Sequence, residues 1–513
     1  MRTVNQKFSN VPNVEIPRST FNRDHQVKTT FDAGKLVPIF VDEVLPGDTF
    51  DLSLTGFARV STPIYPIMDN MTMETFFFFV PNRLVWDNWQ KHQGERVDPG
   101  DSIDYTVPVI DDLVNASNET LWDYLGLPTQ VTSAFEFNAL IPRGINLIWN
   151  EWFRDQNLQD SITVNRDDGP DSEADYDLDF IPRNKRHDYF TSCLPWLQKG
   201  DAVLMSLGDS APVATDASAA STVSVYSTAL SADHAMYIPT TNLALRNNVQ
   251  PGTGALYADL SSAIGPSVNE LRQAVQVQRL LERDARAGTR YTEIIKSHFG
   301  VTSPDARLQR PEYLGGGRTP VVINPVARTD SSPGTLGAMG IAAFKDHGFI
   351  KSFTEHGHVI GFVNVRAELT YQEGIERMWN RQTRYDFYMP TLAHLGEQAV
   401  KNKEIYIDAT TIGSGVSEET FGYQERFAEY RYKPSRITGK FRSNDAASLD
   451  AWHLAIEFGT QPTLDSNFIK ESPPVDRVIA VPSEPHFIYD SYVRLRTTRP
   501  MPTYAIPGLI DHF

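Results

Sequence analysis

METFFFFVPNRLVWDNW, residues 73–89, places four phenylalanines in succession, Phe76 to Phe79, among polar and turn-forming neighbours. A half-buried strand alternates apolar and polar residues, and this run does not. A short continuous apolar run describes a strand buried on both faces, at the centre of a sandwich or beneath a covering layer. Pro81 has no amide hydrogen for a ladder and ends the strand. Trp86 and Trp89 follow at helical spacing. The run is too short to cross a bilayer and too apolar for an exposed edge. Protein must therefore lie on both sides of it, from this chain or from a partner subunit.

The chain has 513 residues, of which 41% are hydrophobic and 22% charged, an ordinary globular composition. This length suits about three domains of ~150 residues, or one large β unit with long insertions. No apolar stretch reaches the ~18 residues of a membrane span. The opening MRTVNQKFSNVPNVEIPRST lacks the apolar core of a secretory signal. With Cys193 as its single cysteine the chain forms no internal disulfide, which suits folding in a reducing cytoplasm. The net charge of −17 is unlike that of a protein that chiefly grips nucleic acid. Charge is uneven, however. Within residues 1–35, Arg2, Lys7, Arg18, Arg23, Lys28 and Lys35 face only Glu15, Asp24 and Asp32. The segment reads either as a solvated terminus or as a slightly basic interior arm.

Strand patterns flank the phenylalanine block. In residues 36–60, Phe50, Leu52 and Leu54 alternate with polar residues, after a turn at LPGD (45–48). HVIGFVNVRAELTYQ (358–372) and RVIAV (477–481) are strand-like. In HFIYDSYVRLRTT, Phe487, Tyr489, Val493 and Leu495 share one face and Tyr492, Arg494 and Arg496 the other. Helices are secondary. SNETLWDYLG (117–126) has Ser117 as a cap and Gly126 as a stop. INLIWNEWF (145–153) carries a stripe of Ile145, Ile148, Trp149, Trp152 and Phe153. VNELRQAVQVQRLLERDARAG has a Ser267–Glu270 capping box, an apolar face of Leu271, Ala274, Val277, Leu281 and Ala285, and a terminator in Gly288. Between Lys199 and Arg246 there is no lysine or arginine, and 209–233 is built of small residues with a few aspartates. That tract is either a surface loop or a protruding module.

Catalytic patterns are absent from the sequence. The carboxylate-dense stretch DDGPDSEADYDLD (167–179) has Phe180 where a calcium loop counted from Asp175 needs glycine. His356 and His358 alternate near His347 and Glu355, without a second cluster at ligand spacing. PEYLGGGRTP (311–320) lacks the lysine ending of a phosphate loop, and no GxSxG occurs. Nothing here calls for an enzyme, a cofactor or a metal.

Long strings carry a resemblance. FNRDHQVKTTFDAGKLVPIFVDEVLPGDTF (21–50), MDNMTMETFFFFVPNRLVWDNWQ (68–90), RNKRHDYFTSCLPWLQKGD (183–201), the stretch 280–320, the stretch 356–406 and GYQERFAEYRYKPSRITGKFR (422–442) resemble the major capsid proteins of gokushovirus-type microviruses, small tailless single-stranded DNA bacteriophages. The resemblance implies a mainly β protein, an eight-stranded antiparallel jelly-roll β-sandwich with long loops and a few helices. It implies a non-enzymatic shell subunit, found in the virion and assembled in the host cytoplasm. Sixty copies would form an icosahedral shell around a circular single-stranded DNA genome. Implied partners are that DNA, a small basic internal DNA-binding protein, scaffolding or pilot proteins during assembly, and a host-surface receptor.

The implied organisation is an interior arm (1–40), a first part of the jelly roll with helical loops (41–200), a surface insertion forming a threefold protrusion (201–263), and the remainder of the roll (264–513). Within it, Arg2, Lys7, Arg18, Arg23 and Lys28 are the candidate DNA contacts. Phe76, Phe77, Phe78, Phe79, Trp86 and Trp89 are candidates for core or subunit contact. The competing class is a carbohydrate-binding or carbohydrate-cleaving β-sandwich, suggested by the aromatic and acidic residues of the loops. It would act as a monomer or small oligomer rather than a shell.

Overall fold

The structure, a computed structural model, describes residues 16–204, 267–302, 309–328 and 336–504, and the backbone of short strands at 213–215, 224–227, 232–235 and 256–258. Its contacts divide the chain into two units, Met1–Leu197 with Gly288–Phe513, and Gln198–Ala287.

The first unit is organised by one antiparallel sheet. Its strands are β1 (Ser19–Asn22), β2 (His25–Phe31), β3 (Val37–Val44), β4 (Thr49–Val60), β5 (Met71–Pro81), β6 (Glu312–Ala327), β7 (Leu336–Ser352), β8 (Gly357–Ala367) and β9 (Phe487–Arg499). β1 pairs with the second half of β9 and β2 with the first half, so together they occupy one strand position. Eight positions follow, in the order β1/β2, β9, β4, β7, β6, β5, β8, β3. The pairing is nested. The first position meets the last in sequence, β3 meets β8, β4 meets β7, and β5 meets β6. A long hairpin folded over on itself gives this arrangement, which is the jelly roll. The first four positions and the last four form its two sheets, joined along one side where β6 bonds to β7.

Local pattern explains each layer. Phe50, Leu52 and Leu54 of β4 and Phe487, Tyr489, Val493 and Leu495 of β9 point into a common core with Met73, Phe77 and Phe79 of β5 and Val359 and Val363 of β8. The alternation read in β4 and β9 is thus their inward face. β5 and β8 have a second buried face. Phe78 and Val80, with Ile360 and Phe362, pack beneath a layer built from the 82–181 connection and helix α1 (Leu140–Ile148). The phenylalanine run is apolar throughout because core lies above and below it. Each fully buried phenylalanine contributes roughly 1.5–3 kcal/mol. Gly361 lets the layers close, since a Cβ there would sit 2.7 Å from the Phe77 ring.

Three local readings need correction. Ser117 does not cap a helix: the turn begins at Leu121 after Thr120, whose hydroxyl donates to the Ser117 carbonyl, and Glu119 sits at positive φ. RVIAV (477–481) follows a short helical turn at Val475–Arg477 and makes only a single bridge, Ile479 to Pro63, not a strand, while Val475, Val478 and Ile479 bury their side chains in the sandwich core. In the second unit, α2 (Val268–Ala287) has its expected capping box, with the Ser267 amide donating to Glu270 at 2.7 Å and the Glu270 amide donating to Ser267 Oγ at 3.2 Å. Its apolar face, however, is mostly open: Leu271 and Val277 are exposed and only Ala285 is buried. The second unit also contains antiparallel pairs of 213–215 with 256–258 and of 224–227 with 232–235. Its residue range, Gln198–Ala287, takes in 201–263. Among the described residues no helix is long and apolar enough to cross a membrane.

Candidate assembly and nucleic-acid surfaces

The six aromatic candidates all lie in packing within the chain. Phe77 meets Phe40 and Phe349, Phe79 meets Phe353, and Phe78 meets Phe153 and Phe362. Phe76, half-buried, packs on Phe153 under the Arg183 guanidinium, 5.4 Å from its ring centre. The Trp86 indole is buried and donates to Asp168 at 2.7 Å. Trp89, at the rim, touches Trp86 and His356.

The acidic stretch 167–179 closes this covering layer. Arg143, on α1, is fully buried and donates to both oxygens of Asp171, at 2.6 and 2.8 Å. It also donates to the carbonyls of Val85 and Asp167, and the Tyr176 hydroxyl donates to Asp171. Burial alone would raise the Asp171 carboxyl, but the Arg143 and Tyr176 hydrogen bonds hold it below its ordinary range. Arg143 was not singled out in the sequence. The available signal was one cation in an apolar helix near a carboxylate-dense loop.

The histidines have separate partners. His347 sits between the hydroxyls of Thr75 and Thr319, and Glu355 pairs with Arg83 at 2.7 Å. His358 is buried, and burial, only partly opposed by Asp42, depresses it to about 4. An unfolded histidine titrates near ~6.5, so the folded chain binds this proton more weakly than the unfolded one. The stabilisation is full above pH ~6.5 and is lost as pH falls towards 4. Against His358→Gln, the wild type should therefore lose about 3 kcal/mol over that interval, read as converging melting temperatures. Melting curves that stay parallel would contradict it. Cys193 is buried, donates to the Tyr189 carbonyl at 3.3 Å, and has its thiol pushed up by burial.

Three of the five arm cations lie in the described residues; Arg2 and Lys7 lie outside them. Arg18 donates to the Gly47 carbonyl, Arg23 grips both oxygens of Asp42, and Lys28 pairs with Asp490 at 3.1 Å with both side chains largely exposed.

Two exposed surfaces were not read from the sequence. The first is a ribbon. β5 pairs with β6 only as far as Val321, and β4 pairs with β7 only from Ile341 onward. Among the described strands, residues 322–327 therefore pair only with 336–341, and 336–340 have no partner in β4. The ribbon has no charged residue, and its Val322, Val326, Leu336 and Met339 are exposed. The second surface belongs to the connection between β8 and β9, whose Tyr371, Val400 and Phe421 form a small core with Tyr189 and Phe190 from the connection between β5 and β6. Over this core lies a concavity of about 490 Å³ whose lining includes Trp379, Arg381, Tyr430, Lys433 and Arg436.

Comparison with known proteins is consistent over almost the whole length. Residues 9–509 match the family described as capsid protein (F protein). Capsid protein VP1 of Bdellovibrio phage phiMH2K is 46% identical over 532 aligned positions, covering 99% of this chain and 98% of the relative. Capsid protein VP1 of Chlamydia phage 1 is 43% identical, covering 98% and 97%. Capsid protein VP1 of Spiroplasma virus 4 is 36% identical, with the same coverage of 98% and 97%.

Proposed function

The chain belongs to the phage capsid protein (F protein) family, and from that premise we propose that it is the repeating subunit of a sixty-copy icosahedral shell enclosing circular single-stranded DNA. It is a structural protein of the virion, a major capsid protein of the gokushovirus type, and not an enzyme.

The observation that carries the shell reading is the β6–β7 ribbon. A lone two-stranded ribbon is marginal in water, because it cannot bury its own side chains. Copies of a chain with net charge −17 repel one another, so they meet most favourably through uncharged apolar surface. The ribbon supplies such a surface. Shell and genome are both anionic, so a small basic internal protein supplies countercharge, and scaffolding or pilot proteins assist assembly. The residues ahead of β1 lie inside as an arm, where Arg2 and Lys7, with Arg18, Arg23 and Lys28 where the arm enters β1 and β2, neutralise phosphates without reading sequence. The 201–263 tract rises as a protrusion at the threefold axes and meets the host-surface receptor.

One phage-production experiment tests both additions. Deleting residues 209–233 should abolish host attachment while particles sediment normally; loss of particles would make the segment structural instead. Replacing the five arm cations with glutamine should lower DNA content per particle, and unchanged packaging would remove the arm from the account.

A further inference from the structure

We propose that the concavity between loops 376–394 and 426–442 is a binding site for unpaired nucleotides, with a base stacked on Trp379 and its phosphates held by Lys433, Arg436 and Arg442. The proposal rests on the shell reading for its biological ligand, the enclosed single strand, but the site itself is argued from its chemistry.

Positive charge gathers around this concavity. The chain carries 47 basic against 64 acidic residues, yet these two loops carry nine Lys or Arg against three Asp or Glu. Lys433 and Arg436 share one carboxylate, Glu376, at 2.6 and 2.5 Å, so this trio retains a positive charge. Arg442 is exposed and donates to the Gln372 carbonyl at 3.0 Å rather than to a carboxylate. A local cationic rim on an acidic protein selects an anion.

Aromatic side chains lie among these cations. Trp379 lines the concavity and is 72% exposed, and Tyr385 and Tyr388 of the same loop are also exposed, Tyr388 resting edge-on against Phe427 and Tyr430. Tyr430 already carries the Arg381 guanidinium, 4.4 Å from its ring centre, whereas the Trp379 face is uncovered. Open aromatic faces interleaved with cations are the arrangement by which proteins hold single strands without sequence preference. The volume of about 490 Å³ lies within the ~300–1,000 Å³ typical of small-ligand sites. Paired bases keep their faces inside the stack, so the site selects unpaired ones. An interface between copies also uses aromatics and arginine, but it gives no reason for one sign of charge to accumulate.

The full chain is titrated with a fluorescein-labelled oligothymidylate of about 20 nucleotides, by anisotropy over a range of salt. Trp379→Ala should weaken binding roughly tenfold and Trp379→Phe should restore most of it. Lys433→Gln with Arg436→Gln should lower the salt slope by about 0.7 for each phosphate that is no longer neutralised. Because Trp379 is exposed, its variants keep the fold. Particle formation is scored in parallel. Unchanged oligonucleotide affinity in Trp379→Ala overturns the proposal, and if particles are also lost the surface is an interface between copies. Trp379-dependent binding by a chain that never forms particles keeps the site and removes the shell reading instead.

Discussion

Val322→Glu combined with Val326→Glu should give folded subunits that form no particles. Both valines are about half exposed, at 50% and 46%, so the isolated fold tolerates the change. They lie four residues apart on a strand, and so on one face of the ribbon. In a shell that face is covered by a neighbouring copy. Each glutamate would then lose its hydration with no cation in the ribbon to receive it. The cost of an unpaired buried charge is several kcal/mol, and it recurs at every equivalent interface. Individual interfaces in such a shell need not be strong, so a penalty of this size at each is enough to prevent closure. Sedimentation separates subunits from particles, and circular dichroism reports whether the subunits are folded. Normal particle yield would mean that the ribbon faces solvent in the assembly. Unfolded subunits would mean that it supports the fold.

Arg143→Leu should lower the stability of the isolated subunit by about 3–5 kcal/mol, the usual result of removing one partner of a buried ion pair. The arginine is fully buried and the Asp171 side chain is 1% exposed. Without Arg143, Asp171 keeps the Tyr176 hydroxyl but loses its compensating charge, and the carbonyls of Val85 and Asp167 lose a donor. Burial, now poorly opposed, would push the Asp171 carboxyl up, so the variant should regain stability on mild acidification while the wild type does not. Adding Asp171→Leu should recover much of the loss, giving a coupling energy in a double-mutant cycle. Thermal unfolding measures the double variant and the two singles, Arg143→Leu and Asp171→Leu. Equal melting temperatures for Arg143→Leu and wild type would show that the covering layer does not depend on this clasp.

The legible part of the fold was its local part. Phe76 to Phe79 showed a strand with core on both faces, and Phe50 to Leu54 and Phe487 to Leu495 showed strands with core on one. Ser267 and Glu270 showed a helix start. These features depend on neighbours within a few residues. The pairing of β1 and β2 with β9 joins positions more than 450 residues apart, and nothing in Ser19–Phe31 alone signals it. RVIAV reads as a strand by composition, but burial in a core and pairing in a ladder leave the same apolar trace. The same ambiguity hid the ribbon, whose valines look like any strand face until the neighbouring strands are seen to stop short. RFAEYRYKPSRITGKFR (426–442) interleaves cations with aromatics, a pattern not read from the sequence as a site, and its partner loop at 376–394 is placed beside it only by the fold.

The most direct test of the account is the mass and symmetry of the assembly. Particles made from this chain with its accessory proteins should be uniform under electron microscopy. Without DNA and accessory proteins their mass should correspond to sixty copies of a 57.6 kDa chain, roughly 3.5 MDa. A folded chain that remains a monomer or small oligomer under those conditions would contradict the shell.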